Sequence, residues 1–326
     1  MWRHPILSLA LRAALAAGVA LPAWAGESAG DFPRRPIRVI VPFQTGGLPD
    51  VAARLIGPKL TDVWKQPIVV ENRPGAGGII ATEIVAKASP DGYTLLSPTS
   101  GHAAMPAVTA KLPFDPLKDF APITITANGA YALVVPPTLG VKSTKELIAL
   151  AKAKPGQLNY GSAGTGSGTH FAAELFRDLA KIEAVHVAYK GIPDALTDTM
   201  TGRIQFFMPP LLSVAALGKE GRLVILAVSQ RVTGYEHIPT LADGGIQGYQ
   251  WSGWSGLLAP AKTPRAVILR IHAEVSRIML LPEIKERMVA LGADATPTSP
   301  EAFGKLIADQ IALTTSLARR AGIKPQ

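Results

Sequence analysis

From Ile37 to Ser229 short, continuous apolar runs alternate with longer segments of helical periodicity, and this alternation limits the fold more than any other feature of the chain. Apolar runs of this length, ending in Gly- or Ser-rich loops, read as strands buried on both faces. They fall at Ile37–Phe43, Pro67–Glu71, Tyr93–Ser97, Pro122–Thr126, Tyr131–Val135, Asn159–Ser162, Val185–Tyr189, Ile204–Met208 and Leu223–Ser229. Helices are expected between them over Pro49–Trp64, Ile79–Ala88, Ser143–Lys154, Thr169–Ala180 and Pro193–Thr201. Gly57-Pro58 is expected to kink or interrupt the first of these. Ser143-Thr144-Lys145-Glu146 is a capping box. The C-terminal part is helical, from Pro264 to Leu280, Pro282 to Leu291 and Pro300 to Ala321. The pattern implies α/β architecture with mostly parallel sheets. No tandem repeat and no low-complexity linker interrupts it. Two compact lobes are expected, residues 26–128 plus 253–326 and residues 129–252, with crossings near 127–130 and 246–256 and the last helices returning to the first lobe.

The N-terminus is a separate matter. Arg3 and Arg12 precede an Ala/Leu-rich run from Ala13 to Leu21, and Ala23-Trp24-Ala25-Gly26 offers small residues at the cleavage positions. This reads as a secretory signal peptide over residues 1–25. The run is well short of the roughly 18 residues of a membrane span. No twin-Arg pair is present, so general secretion to the periplasm is the expected route. Without this segment 301 of the 326 residues remain, enough for two lobes. The formal charge of +9 falls to +7 once Arg3 and Arg12 are removed. The basic residues are scattered rather than interleaved with aromatics, which argues against a nucleic-acid groove and for, at most, steering of anions. The absence of Cys excludes thiol catalysis and thiolate metal sites.

Ligands of open α/β sheets sit beyond the carboxyl ends of strands, where helix N-termini offer free N–H groups and a positive dipole end. Four loops fit. Phe43-Gln44-Thr45-Gly46-Gly47 allows close backbone approach and adds the Thr45 hydroxyl; it reads equally as a plain strand–helix turn. Asn72-Arg73-Pro74-Gly75-Ala76-Gly77-Gly78 is a candidate nest of N–H groups. It lacks the third Gly of a dinucleotide fingerprint, since Ile80 stands there. Gly161–His170 places Gly164, Thr165, Ser167 and His170 at a helix start, without the Lys of a phosphate loop. Ser97–His102 contributes Thr99 and Ser100, which serve equally as helix caps.

The enzymatic alternatives have less behind them. There is no G-x-S-x-G elbow and no His pair at metal-ligand spacing, so neither cofactor nor metal is expected. Ser167 with His170 can be drawn as a hydrolase or isomerase pair, but the spacing does not require it. Tyr249, Trp251 and Trp254 read as core or hinge packing.

Taken together, these segments resemble the substrate-binding receptors of tripartite tricarboxylate transporters, the Bug proteins. The resemblance runs from Phe32-Pro33 to Ala321-Gly322-Ile323. It is carried by Ile40-Val41-Pro42-Phe43 with Gly46-Gly47 and Asp50, Val70–Gly78, Pro90–Leu96, the Gly161–His170 loop with Ala173–Phe176, Tyr189-Lys190-Gly191, Pro239-Thr240 and Trp254–Pro260. It implies a two-lobed periplasmic binding protein of type II-like fold, monomeric, that passes a small carboxylate to membrane subunits or partners an extracellular sensor. It also implies a carboxylate held by Phe43–Gly47 and Gly75–Gly78, with Gly164–His170 closing from the second lobe. The chain departs from the family in Thr45, where Ala or Pro is common, and in Pro209-Pro210, where many members carry an Asp facing the cleft. That departure argues against an amino-acid ligand. Phe206, Phe207 and Met208 point to an apolar distal pocket that tolerates a di- or aromatic carboxylate.

Overall fold

The computed structural model describes residues 32–325; the signal-peptide reading lies outside them. The chain from Pro33 onward forms one compact unit, which carries everything that follows. In chain order its strands and helices are β1 (Ile37–Val41), α1 (Leu48–Trp64), β2 (Ile68–Asn72), α2 (Ile79–Ala86), β3 (Thr94–Leu96), α3 (Gly101–Val108), β4 (Phe120–Gly129) and β5 (Ala132–Val135). There follow α4 (Thr144–Ala153), β6 (Asn159–Ser162), α5 (Gly168–Ala180), β7 (Val185–Ala188), α6 (Ile192–Met200), β8 (Phe206–Phe207), α7 (Ala215–Lys219) and β9 (Val224–Val228). The chain ends with β10 (Gly253–Pro260), α8 (Arg265–Met279), α9 (Pro282–Ala290), β11 (Ala293–Asp294) and α10 (Pro300–Arg320).

The strands form two sheets, ordered β11-β4-β10-β3-β1-β2 and β7-β6-β8-β5-β9. The expected α/β alternation is present, but the sheets are mixed rather than mostly parallel. β1 pairs in parallel with β2 and β3, and β6 with β7 and β8. β10 runs antiparallel to β3 and β4, β11 to β4, and β5 to β8 and β9. The reason is connectivity. The chain leaves the first sheet along β4 and enters the second along β5 after two residues, with no crossover helix between them. It returns along β10, paired with β4 from Gly253↔Gly129 to Pro260↔Phe120. The two passages therefore lie side by side at Gly129 and Gly253.

Helix α1 is continuous through Pro58, contrary to the expected break. Pro58 and Arg54, whose carbonyl loses its donor, both lie on the exposed face, where water replaces the missing bond. Helix α4 begins as expected, with Ser143 Oγ accepting from Glu146 N at 3.2 Å. Helix α10 returns to the first sheet, packing on α3 and β4, and Thr314 Oγ1 donates to Ala103 O at 3.1 Å. Trp251 and Trp254 are buried; Trp254 stands edge-on to Phe303 and its Nε1 donates to Gln310 Oε1 at 2.7 Å. Among the described residues no helix is long and apolar enough to cross a membrane.

Candidate functional site

A cavity of about 740 Å³ opens where the loops of both sheets meet. Five helix starts line it: Gly47 and Leu48 at α1, the Ala76-Gly77 turn before α2, Ser100 and Gly101 at α3, Ser167 and Gly168 at α5, and Gly191 and Ile192 at α6. The first N–H groups of a helix lack intrahelical acceptors and sit at the positive end of its dipole. Among the described residues no Asp or Glu lines the cavity, and Lys190 is the single charged residue that does. Thr99, Thr165, Ser167, Thr169 and Tyr131 add hydroxyls. The arrangement is a preformed set of donors suited to an anion.

Side chains behind the loops hold these backbones in place. Asp50, 2% exposed, accepts from Gly46 N at 2.9 Å, Arg54 Nε at 2.9 Å and Asn72 Nδ2 at 3.0 Å. Burial alone would raise its pKa; the hydrogen bonds from Gly46, Asn72 and Arg54 outweigh that and hold the carboxyl below its ordinary value. Asn72 Nδ2 also donates to Phe43 O at 2.9 Å, tying the first two loops together. In the second loop Gly75, Ala76, Gly77 and Gly78 all have positive φ, and Ala76, at +46°, adopts this without being glycine. Four such residues in succession turn the backbone into a tight cradle at the cavity wall. Arg73 pairs with Glu71 at 3.0 Å rather than standing free for an anion. In the third loop Thr169 Oγ1 accepts from Ala163 N at 2.8 Å and Ser167 Oγ caps α5 by accepting from His170 N at 3.2 Å.

Of the residues expected from sequence, Phe43, Gly47, Ala76, Gly77, Thr99, Ser100, Thr165 and Ser167 line this cavity. Thr45, Gly46, Gly75 and Gly164 belong to the same loops but do not line it. His170 and Phe207 do not line it either. His170 turns away: its Nδ1 accepts from Gly166 N at 3.0 Å, and its ring stacks on His186 at 3.9 Å between centroids. It lines a second, polar cavity of about 550 Å³ with Tyr160, Glu174, Arg177 and His186. Burial, then the nearby charges of His186 and Arg177, push its pKa down to about 3. Tyr160 donates to Glu174, whose other oxygen accepts from Arg177 Nη2 at 2.6 Å. Phe207 is fully buried, because β8 lies between β5 and β6 and sends it into the core with Val134, Ala195 and Leu211. The apolar wall comes instead from Pro210, Leu211 and Leu212 just beyond β8, facing Leu291, Gly292 and Ala293.

Sequence reasoning missed Lys190, Tyr131, Val108 and the Leu291–Ala293 turn. Lys190-Gly191 follows a strand and opens a helix, the same signal that singled out the other loops. The Leu291–Ala293 turn carries no comparable signal, since it follows a helix. Ser100 does not cap α3 with its side chain; Thr99 Oγ1 accepts from Gly101 N at 3.3 Å. The Tyr131 hydroxyl stands 2.3 Å from where a Cβ on Gly168 would sit, so only glycine fits there. Burial raises the Tyr131 pKa, partly offset by hydrogen bonding with Ser100.

A family model described as tripartite tricarboxylate transporter family receptor matches residues 52–323. Protein BugT of Bordetella pertussis is 33% identical over 316 residues, 94% of each chain. Among solved structures, R. palustris Rpa4515 with adipate superposes with a TM-score of 0.78 at 32% identity, covering 90% of this chain and 100% of that one. MatC (Rpa3494) from Rhodopseudomonas palustris with bound malate gives a TM-score of 0.73 at 30% identity, covering 88% of this chain and 100% of that one.

Proposed function

Because the chain belongs to the tripartite tricarboxylate transporter receptor family, we propose that it captures a small organic carboxylate in the periplasm and presents it, unchanged, to the membrane subunits of a transporter. The observation that carries the proposal is the convergence of five helix starts on one cavity that no Asp or Glu among the described residues lines. Neutral donors held in advance bind a carboxylate at little reorganisation cost. The relatives support the ligand class, since Rpa4515 was solved with adipate and MatC with malate.

In this reading residues 26–128 plus 253–326 and residues 129–252 act as two lobes, hinged where Gly129 pairs with Gly253. Phe43, Gly47, Ala76, Gly77, Thr99 and Ser100 hold the ligand from the first lobe and Thr165 and Ser167 from the second, with Thr45, Gly46, Gly75 and Gly164 shaping their loops. Residues 1–25 direct export and are removed. The receptor works as a monomer and meets its membrane partners transiently; delivery to a sensor instead of a transporter uses the same capture step.

The hydrolase or isomerase alternative has no pairing behind it. Ser167 Oγ is engaged with His170 N and, at 2.9 Å, with Thr169 Oγ1, while His170 Nδ1 holds Gly166 N–H. Neither ring nitrogen of His170 hydrogen-bonds the Ser167 hydroxyl.

The test is a thermal-shift screen of the exported protein against mono-, di- and tricarboxylates, with NMR of the acid recovered afterwards. A ligand at 100 times its Kd should stabilise by about 2.7 kcal/mol, a shift of roughly 4 °C for a chain of this size. Absence of any shift, or recovery of an altered acid, would refute the proposal.

A further inference from the structure

Behind the 163–169 loop lies the second cavity, of about 550 Å³, which the capture of a carboxylate in the first leaves without a task. Its floor is buried: Tyr160, His170 and Glu174 are 1%, 2% and 4% exposed. Arg177, His186 and Lys324 complete the polar wall. These three stand outside the motifs that carry the family resemblance. Among the described residues Thr165 alone lines both cavities.

The directions of the hydrogen bonds decide what this wall can hold. His170 Nδ1 accepts from Gly166 N, and a backbone N–H can only donate, so the imidazole proton sits on Nε2. That Nε2–H makes no hydrogen bond among the described residues; Glu174 Oε1 stands 3.8 Å away, beyond hydrogen-bond distance. Glu174 is itself engaged on both oxygens, by Tyr160 and by Arg177 Nε and Nη2 at 3.3 and 2.6 Å. Those contacts use only part of the donor capacity of the guanidinium. Lys324 is exposed and makes no ion pair or hydrogen bond among the described residues. An adjoining cavity of about 200 Å³ shares Glu174 and Arg177 and adds Asp178, Lys181 and Arg320. Across the two, Arg177, Lys181, Arg320 and Lys324 outnumber the carboxylates Glu174 and Asp178.

A metal cation fits this wall poorly. The unpartnered buried nitrogen is a donor, and the His170 and His186 rings stack at 3.9 Å with 10° between their planes, so their nitrogens lie in parallel planes instead of converging on one point. Among the described residues no group of His, Asp and Glu is arranged to hold a metal. An imidazole N–H, a guanidinium and an ammonium around one space suit an anion with several oxygens. We infer that the second cavity is an effector site for a phosphate-type oxyanion, free or carried on a small organic body, held by Arg177, Lys324 and His170 Nε2–H, and that its occupation steadies the 163–169 loop of the first cavity. The link is short. An acceptor on Nε2–H polarises the imidazole and strengthens Nδ1 as the acceptor of Gly166 N–H. His186 Nε2 lies 2.7 Å from Ser162 Oγ, which accepts from Gly164 N at 3.1 Å, so a second N–H of the same loop depends on the same stacked pair.

The experiment titrates the exported protein with inorganic phosphate and, separately, with α-glycerophosphate, using sodium chloride at matched ionic strength as the control for screening. Imidazole resonances and amide exchange are followed by NMR. The His170 and His186 rings should shift to saturation while those of His102, His237 and His272 stay fixed, and exchange of Gly166 N–H should slow roughly threefold. Tighter binding of α-glycerophosphate would assign an organic body to the ligand, and tighter binding of phosphate the free ion. Lys324→Ala removes an exposed side chain, so the fold is kept, and should weaken phosphate about three- to fivefold without changing Gly166 exchange in its absence. Arg177→Lys keeps a cation for Glu174 but loses the planar fork, and should weaken phosphate by about tenfold or more. Rings that do not move, shifts that chloride reproduces, an affinity that survives both substitutions, or Gly166 exchange indifferent to phosphate would each overturn the inference. No carboxylate enters the experiment, so its failure and the failure of the capture reading are separate results.

Discussion

Adding one methyl group at Gly166 should damage both the fold and ligand binding. Gly166 lines the cavity from the 163–169 loop with φ of +80°. A Cβ there would stand 2.5 Å from Val108 Cγ1, 2.8 Å from Val108 Cβ and 3.0 Å from Val108 Cγ2, on the last turn of α3. Two costs follow. An L-residue in left-handed conformation loses about 1–2 kcal/mol. Overpacking against a β-branched side chain, which has little rotamer freedom to escape, costs about 1–3 kcal/mol. The cheapest relief is for the loop to withdraw from α3, which carries Thr165 and Ser167 away from the other half of the cavity. Gly166→Ala should therefore weaken binding of the acid found in the thermal screen by at least tenfold, with a stability loss of about 2–4 kcal/mol. Val108→Gly removes all three side-chain atoms that the new Cβ would meet. In a double-mutant cycle read by urea unfolding and calorimetric titration, the pair should show a favourable coupling of about 1–3 kcal/mol, with only the backbone strain left. Additivity within about 0.5 kcal/mol, or wild-type affinity in Gly166→Ala, would refute the idea that this contact sets the cavity.

Two further predictions concern pH. Asp50 has a folded pKa below the ordinary carboxylate value of 3.8, so its contribution is present above that value and is lost as pH falls through the lower folded pKa. Asp50→Asn should cost about 1–3 kcal/mol at pH 7 in urea unfolding, and the gap to wild type should narrow below pH 4; an equal gap at both pH values would show that the charge itself is irrelevant. Burial pushes the folded pKa of His170 down to about 3 from an ordinary 6.5, so stability is complete above 6.5 and falls as pH drops toward the folded value. His170→Gln keeps an acceptor for Gly166 N–H without titrating, and should flatten the decline between pH 6.5 and pH 4 by about 1 kcal/mol per pH unit. Buried His102, pushed down to about 4 by burial, is present in both proteins and cancels in the comparison; parallel declines would refute the assignment.

The sequence carried the strand–helix alternation and the four loops because each rests on local chemistry: apolar runs, glycines and caps within a few residues of one another. The strand directions were not legible. β10 pairs with β4, and nothing local to Gly253–Pro260 reveals that it returns antiparallel beside a strand more than a hundred residues earlier. Phe207 and His170 lie outside the cavity for a related reason. Phe207 lies on a strand whose neighbours on both sides are set by topology, so its side chain goes to the core with Leu211, while the exposed Leu212, past the strand end, lines the cavity. His170 occupies the third position of α5, where a side chain folds back on its own loop as readily as it faces outward, and here Gly166 N–H claims its ring.

That same division of labour explains why the polar side chains flanking the loops are poor guides to the ligand. Asp50, Asn72, Thr169 and His170 each spend their hydrogen-bonding groups on the backbone of a cavity loop. Their effect on a bound acid is indirect: they fix where the N–H groups point before the acid arrives. A carboxylate recognised mainly through backbone donors places few demands on side-chain identity at the point of contact. Substitutions in the apolar wall can then change which acid is held without disturbing how its carboxylate is gripped. In this chain that wall is Pro210–Leu212 and Leu291–Ala293, two short segments outside the helix-start loops. Exchanging them should alter ligand preference while Gly47, Ala76 and Gly168 keep the same task.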